Sequence, residues 1–183
     1  MTEVARLILV SHAMTDAMVA ARFPADEPLN DMGRRRVKKA GRLDVPKGTR
    51  QLAGPEQRAR ETAQLLGLHA TTEPRLADLH CGGWCGQTLQ AVGPADLETW
   101  LTDPARAPHG GESILDLIQR VGGWLESLTD EASRAVAVTH PAVIRAAVVH
   151  SLDAPPESFW RIDIAPVSRT LLHFRNGRWT LRL

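Results

Sequence analysis

Residues 6–17 read RLILVSHAMTDA, and the change of character inside this stretch decides the fold. The apolar run Leu7–Val10 has the length and composition of a buried strand. Directly after it the chain becomes polar, and His12 follows Ser11. This order predicts a histidine at the carboxyl end of the first strand.

A second stretch repeats the arrangement. Residues 135–140 read AVAVTH, so another buried strand runs into Thr139 and His140. In α/β folds ligands bind beyond the carboxyl ends of the strands, and neighbouring strands bring such histidines together. A helix that begins after each histidine would direct backbone N–H groups to the same place, which favours an anion.

Strand-like and helix-like segments alternate along the rest of the chain. Strands are predicted over 7–10, 50–53, 70–73 and 135–139, and helices over 31–42, 56–66, 113–128 and 141–152. Asn30 or Asp31 caps the first of these helices. Two strands around Asn176–Gly177 form a hairpin that adds an antiparallel edge. The alternation predicts an α/β fold with three α/β/α layers, a mostly parallel central sheet and a single domain over 1–183.

The composition is globular and excludes several classes of protein. The chain has 183 residues, 43% of them hydrophobic, and a net charge of +1. No apolar run approaches the ~20 residues of a membrane span, and the charge gives no general attraction to nucleic acid or anionic lipid. The N-terminal residues lack the features of a signal peptide, so a cytoplasmic protein is expected.

Two local clusters have alternative interpretations. The basic run Arg34–Arg36 with Lys38 and Lys39 favours a solvated helix face over a nucleic-acid site in a chain of this charge. Cys81 and Cys85 are too poorly spaced for zinc, so no metal and no cofactor are expected.

An arginine and an aspartate complete the candidate site that the two histidines begin. Arg58 and Arg60 follow the second strand and point in different directions on a helix, so only one of them faces the site. Asp78 precedes a glycine-rich loop. Two imidazoles, a guanidinium and a carboxyl suit phosphoryl transfer, in which a neutral histidine attacks phosphorus, cations stabilise the oxygens and the acid protonates the leaving group.

These pieces together resemble the histidine phosphatase superfamily, which includes phosphoglycerate mutase-like enzymes. The family's Arg-His-Gly-x-Thr appears as Ser-His-Ala-Met-Thr over 11–15, and its Ser-Pro-x-x-Arg-Ala-x-x-Thr-Ala appears as GPEQRARETA over 54–63. Its Leu-x-Glu-x-x-x-Gly-x-Trp-x-Gly appears as LADLHCGGWCG over 76–86, and Gly-Gly-Glu-Ser stands at 110–113. The motifs follow family order over nearly the whole chain and imply a phosphoglycerate mutase-like fold.

The resemblance implies roles for the site residues. His12 would be the nucleophile that becomes phosphohistidine, Arg58 and His140 would hold the phosphoryl oxygens, and Asp78 would donate the proton. The predicted contacts to phosphate or to the rest of the substrate are Ser11, Thr15, Arg22 and Thr139. The implied function is a phosphomonoester hydrolase for a small phosphorylated metabolite, with no metal and no nucleic-acid or membrane partner.

Ser11 is the main departure from the family pattern, because the motif has arginine there. Loss of one preorganised donor costs ~10²–10³ in rate. Arg22 and Arg145 are both able to supply the missing charge, and the sequence leaves that choice open. The alternative function is a pseudo-phosphatase that binds a phosphorylated ligand or partner without turnover.

Overall fold

A single six-stranded sheet organises the protein. The structure, a computed structural model, describes residues 4–129 and 133–183. The strands are β1 (Ala5–Ser11), β2 (Arg50–Ala53), β3 (Thr71–Thr72), β4 (Arg134–Thr139), β5 (Arg169–Arg175) and β6 (Arg178–Arg182). Their order is β3-β2-β4-β1-β5-β6, with the first four parallel, β5 antiparallel to β1 and β6 antiparallel to β5. The mostly parallel sheet with an antiparallel edge is confirmed.

Helices cover both faces of this sheet. They are α1 (Asp16–Val19), α2 (Asp31–Ala40), α3 (Gln57–Leu65), α4 (Pro94–Thr102), α5 (Ile114–Glu126) and α6 (Pro141–Ser151). Asn30, not Asp31, caps α2, because its side-chain oxygen accepts a hydrogen bond from Gly33 N. Ser113 caps α5 in a capping box with Asp116.

The two apolar faces follow from the alternation of side chains along the strands. Leu7 and Leu9 of β1 join one buried cluster, whose helical members include Trp124 of α5. Val10 joins the other cluster, which includes Val37 of α2. Burial on both faces drives the three-layer arrangement.

Strand register brings the chemistry-bearing segments to one edge. β1 lies beside β4 with Ser11 opposite Thr139, so His12 and His140 leave the sheet side by side. His12 N donates to Thr139 O at 2.9 Å. On the other side of β4, Gly54 N donates to Val138 O at 2.9 Å, which sets the start of the α3 segment at the same edge.

The sequence pattern did not predict α4. Trp100 is its single buried residue, so it has almost no apolar periodicity to read. The predicted strand over 70–73 is reduced to Thr71–Thr72 at the sheet edge. The other predicted elements are present, with bounds that differ by at most two residues.

Candidate active site

His12 stands at the end of β1 with one ring nitrogen engaged. Its Nδ1 lies 2.7 Å from Ala13 O, so Nδ1 carries the proton and Nε2 keeps its lone pair. The residue is 3% exposed and lines a cavity at this edge of the sheet. Burial and the neighbouring His140 lower its pKa to about 3. The ring is therefore neutral near pH 7, as a nucleophile must be.

The backbone after His12 is tied to α3. Ala13 N donates to Thr62 Oγ1 at 3.1 Å, and that hydroxyl donates to Arg58 O at 2.8 Å. On the α2 side, a Cβ at Gly33 would collide with the carbonyl of Met14, so only glycine allows α2 this close. These contacts hold the histidine and the guanidinium segment as one unit.

Arg58 is a buried cation at the floor of the cavity. It is 2% exposed, and Nη1 donates to Ala25 O at 2.6 Å. Its Nη2 donates to Asp78 Oδ2 at 2.7 Å. Arg60 is exposed, so of the two arginines Arg58 faces the site.

Asp78 connects the cationic groups. Its Oδ2 also lies 3.4 Å from His140 Nδ1, and its Oδ1 accepts a hydrogen bond from Leu79 N. Burial by itself would raise the pKa of this carboxyl, but His140 and Arg58 outweigh it and the pKa is lowered. The ionised carboxylate thus bridges the two groups predicted to bind phosphate.

Glu56 holds the opposite side of His140, and the sequence patterns did not single it out. Its Oε2 lies 2.7 Å from His140 Nε2, and its Oε1 accepts a hydrogen bond from Asp78 N at 2.9 Å. Burial would raise the pKa of Glu56, but the hydrogen bond to His140 is among the contacts that leave it lowered. The histidine is fully buried, and its ring lies 5.1 Å from that of His12, centre to centre.

Gly54 makes this contact possible. A Cβ there would lie 2.8 Å from Leu76 O and 3.0 Å from His140 Nε2. The available signal in the sequence was a carboxylate two residues before Arg58 and two residues after Gly54, the position where the family motif has serine.

Two predicted ligand contacts face away from the cavity. Ser11 and Thr139 are both fully buried, and neither lines the cavity. The Thr139 hydroxyl donates to Leu76 O at 2.8 Å, and Ser11 Oγ is 3.5 Å from His12 O. The geometry therefore goes against direct contact with a ligand, because both hydroxyls are directed at backbone carbonyls.

Three predicted or proposed contacts do line the cavity. Thr15 caps α1 and donates to Glu27 Oε1 at 3.3 Å. Arg22 is exposed at the mouth. Arg145 projects from α6 and is partly buried, with Nε donating to Ile162 O at 2.7 Å.

The cavity has a volume of about 190 Å³. His109 does not line this cavity and is buried against Trp84, with ring centres 5.0 Å apart. Among the residues that the structure describes, no cluster of His, Cys, Asp and Glu side chains is suited to a metal ion. No helix in residues 4–129 or 133–183 is long and apolar enough to cross a membrane.

Comparison with known proteins identifies a family and several similar phosphatases. Residues 7–183 match the profile of the histidine phosphatase superfamily (branch 1). The glucosyl-3-phosphoglycerate phosphatase of Mycobacterium tuberculosis is 29% identical over 177 residues, 85% of this chain and 78% of that protein. The native structure of the mycobacterial enzyme superimposes with a TM-score of 0.81 at 26% identity, covering 97% of each chain.

Other relatives extend the comparison. The bifunctional protein Rv2228c of Mycobacterium tuberculosis is 27% identical over 97% of this chain, which spans only 53% of that relative's length. A putative alpha-ribazole-5'-P phosphatase from Escherichia coli has a TM-score of 0.83 at 21% identity, covering 98% of this chain and 95% of that one, and shares the fold.

Proposed function

Because the chain belongs to the histidine phosphatase superfamily, we propose that it is a metal-independent phosphomonoester hydrolase acting on a small phosphorylated metabolite. The observation that carries the proposal is the state of His12. It is buried, neutral and hydrogen-bonded at Nδ1, so Nε2 is available to attack phosphorus beside the Arg58 guanidinium. The mycobacterial phosphatases named above support a phosphorylated metabolite as the substrate class.

The reaction proceeds in two displacements. His12 Nε2 forms a bond to phosphorus while the bond to the alcohol oxygen breaks, and Asp78 gives that oxygen its proton. A water molecule then attacks the phosphohistidine, returns a proton to Asp78 and releases inorganic phosphate. Arg58 and His140 stabilise the charge on the phosphoryl oxygens in both steps.

Asp78 must be protonated to act as an acid, although its pKa is lowered in the unliganded site. An incoming phosphate competes for Arg58 Nη2 and His140 Nδ1, the two groups that now hold the carboxylate. Once displaced, the carboxyl loses the cations that lower its pKa and remains largely buried, which favours the protonated form. Substrate binding and protonation of Asp78 are thus coupled.

The charge missing at Ser11 is assigned to Arg145 in this proposal. Its guanidinium carbon lies 5.8 and 5.7 Å from the ring centres of Phe159 and Trp160, and burial lowers its pKa. No carboxylate of the described residues lies within ion-pair distance of it. A partly buried cation without an ion-pair partner is stabilised by an anion, whereas Arg22 is already solvated.

The alternative is a pseudo-phosphatase that binds the phosphorylated ligand without turnover. Two observations favour it: Ser11 contributes no charge, and Asp78 occupies Arg58. The hydrolase and the pseudo-phosphatase would bind phosphate through the same side chains. Only a measurement of turnover therefore distinguishes them.

Hydrolysis of p-nitrophenyl phosphate at pH 5–7 with a chelator present tests the proposal. Wild type, His12→Ala and Ser11→Arg are compared. Turnover that His12→Ala abolishes supports the hydrolase. Absence of wild-type turnover, with activity appearing in Ser11→Arg, would replace the hydrolase with the binding protein.

A further inference from the structure

The cavity beyond the phosphate end has an aromatic wall. Trp100 of α4 contacts Phe23 and Trp160, with ring centres 5.5 and 4.4 Å apart. Trp160 in turn lies 4.9 Å from Phe159, and the rings meet edge to face or nearly so. All four side chains line the cavity that contains His12. Interlocked rings of this kind form a rigid surface for a flat apolar group.

Much of the remaining lining is apolar. Its apolar members are Ala17, Met18, Pro24, Leu79, Cys81, Pro141 and Ala142. An apolar group in the cavity therefore contacts mainly carbon and sulfur, and the Arg145 guanidinium over the Phe159 and Trp160 rings is the polar exception on the aromatic side.

The polar side chains of the cavity offer little to a hydroxyl-rich ligand. Glu27 already accepts hydrogen bonds from Ala25 N at 2.8 Å and from Thr15 at 3.3 Å. Arg58 and Asp78 belong to the phosphate end. Arg145 is assigned to phosphate as well, which leaves Arg22, at the exposed mouth, as the lining cation that can donate a hydrogen bond to a hydroxyl oxygen.

We propose that this cavity selects a phosphomonoester whose alcohol part is a single apolar aromatic group, in preference to a polyol or sugar phosphate. The inference rests on the proposed function, since the phosphate is taken to lie at His12. A volume of about 190 Å³ limits the alcohol part to one ring and not two, because an apolar cavity of about 150 Å³ holds a single benzene. The hydroxyls of a polyol in this cavity would lose hydrogen bonds to water and would face mainly apolar side chains.

Two substrates test the selection without a difference in intrinsic reactivity. 2-Phenylethyl phosphate and glycerol 1-phosphate both release a primary alcohol, so a difference in kcat/KM reports on the cavity. We expect the phenylethyl ester to be favoured about 100-fold, the scale on which an apolar pocket discriminates by burial and by hydroxyls.

Trp100→Leu removes the centre of the aromatic wall and is expected to lower this ratio at least tenfold. Because the ratio is taken within one variant, effects on the phosphate chemistry cancel. Trp179→Leu is the matched control: Trp179 packs on Phe174 in the C-terminal hairpin and should leave the ratio unchanged. Circular dichroism of each variant confirms that it is folded.

A wild-type ratio near or below one overturns the proposal, and so does a ratio that Trp100→Leu leaves unchanged. If neither ester is hydrolysed, the hydrolase function fails, but the selection is still measured. Calorimetric titration of the two esters into His12→Ala then gives the ratio of dissociation constants. Tighter binding of the phenylethyl ester supports the proposal, and equal or weaker binding refutes it.

Discussion

Replacing Glu56 by glutamine separates the charge of this side chain from its shape. In the structure the carboxylate accepts from His140 Nε2 at 2.7 Å and from Asp78 N at 2.9 Å. Glutamine retains an oxygen for one of these bonds but has no negative charge. The buried His140 ring, which is predicted to hold the phosphoryl oxygens, loses its charged hydrogen-bond partner at Nε2.

The expected loss follows from the kind of hydrogen bond removed. A hydrogen bond to a charged group contributes about 1.5–3 kcal/mol. At about 1.4 kcal/mol per tenfold, the corresponding fall in kcat/KM is about 10- to 150-fold. The fall should appear in kcat/KM across the pH range, because the ring predicted to hold the phosphoryl oxygens has lost its charged partner.

The assay is a pH profile of kcat and KM with p-nitrophenyl phosphate, followed by the same profile for two further variants. Glu56→Asp keeps the charge and should recover part of the lost activity. Glu61→Gln is the control on the same segment, because Glu61 pairs with Arg34 at the surface. An unchanged profile in Glu56→Gln, or an equal loss in Glu61→Gln, would refute the reasoning.

Three further predictions concern the charges around phosphate and the nucleophile. Asp78→Asn should bind inorganic phosphate more tightly, because Arg58 is released, and product inhibition measures this affinity. Its kcat should fall ~10²–10⁴-fold for an alkyl phosphate. The fall should be smaller for p-nitrophenyl phosphate, because that leaving group needs no proton. Arg145→Met should lower kcat/KM by ~10²–10³, whereas an effect confined to Arg22→Met would reverse the assignment. His12 has a pKa of about 3 folded, against 6.5 for an ordinary histidine, so the unfolded chain binds more protons between these values and stability falls as the pH drops through them. His12→Gln should flatten this dependence in urea unfolding at pH 7 and pH 4, and an unchanged slope would contradict it.

The sequence predicted the architecture because each major element carries its own local signal. Leu7–Val10 and the 135–139 strand are apolar runs, and α5 combines a helical period with a Ser113 cap. Strand-end histidines were predictable because parallel strands end at one edge. These features depend on neighbours in the chain and not on the details of packing.

Contacts made across the fold escaped prediction for a physical reason. Glu56 reaches His140 only because register places the β2 and β4 ends side by side and Gly54 leaves room for the ring. The direction of the Thr139 hydroxyl depends on Leu76, which is remote in sequence. The aromatic wall depends on Trp100, which lies in the helix with almost no periodic pattern.

The pairing of β1 with β4 also determines when activity can first exist. Ser11 and Thr139 are neighbours in the sheet but lie 128 positions apart in the sequence, so joining them closes a very long loop. Such non-local contacts form late, because the entropy of loop closure opposes them until other contacts compensate. A ribosome-bound chain that has not yet released β4 holds His12 without His140. Return of phosphatase activity during refolding therefore reports completion of the central sheet, later than the appearance of helical signal.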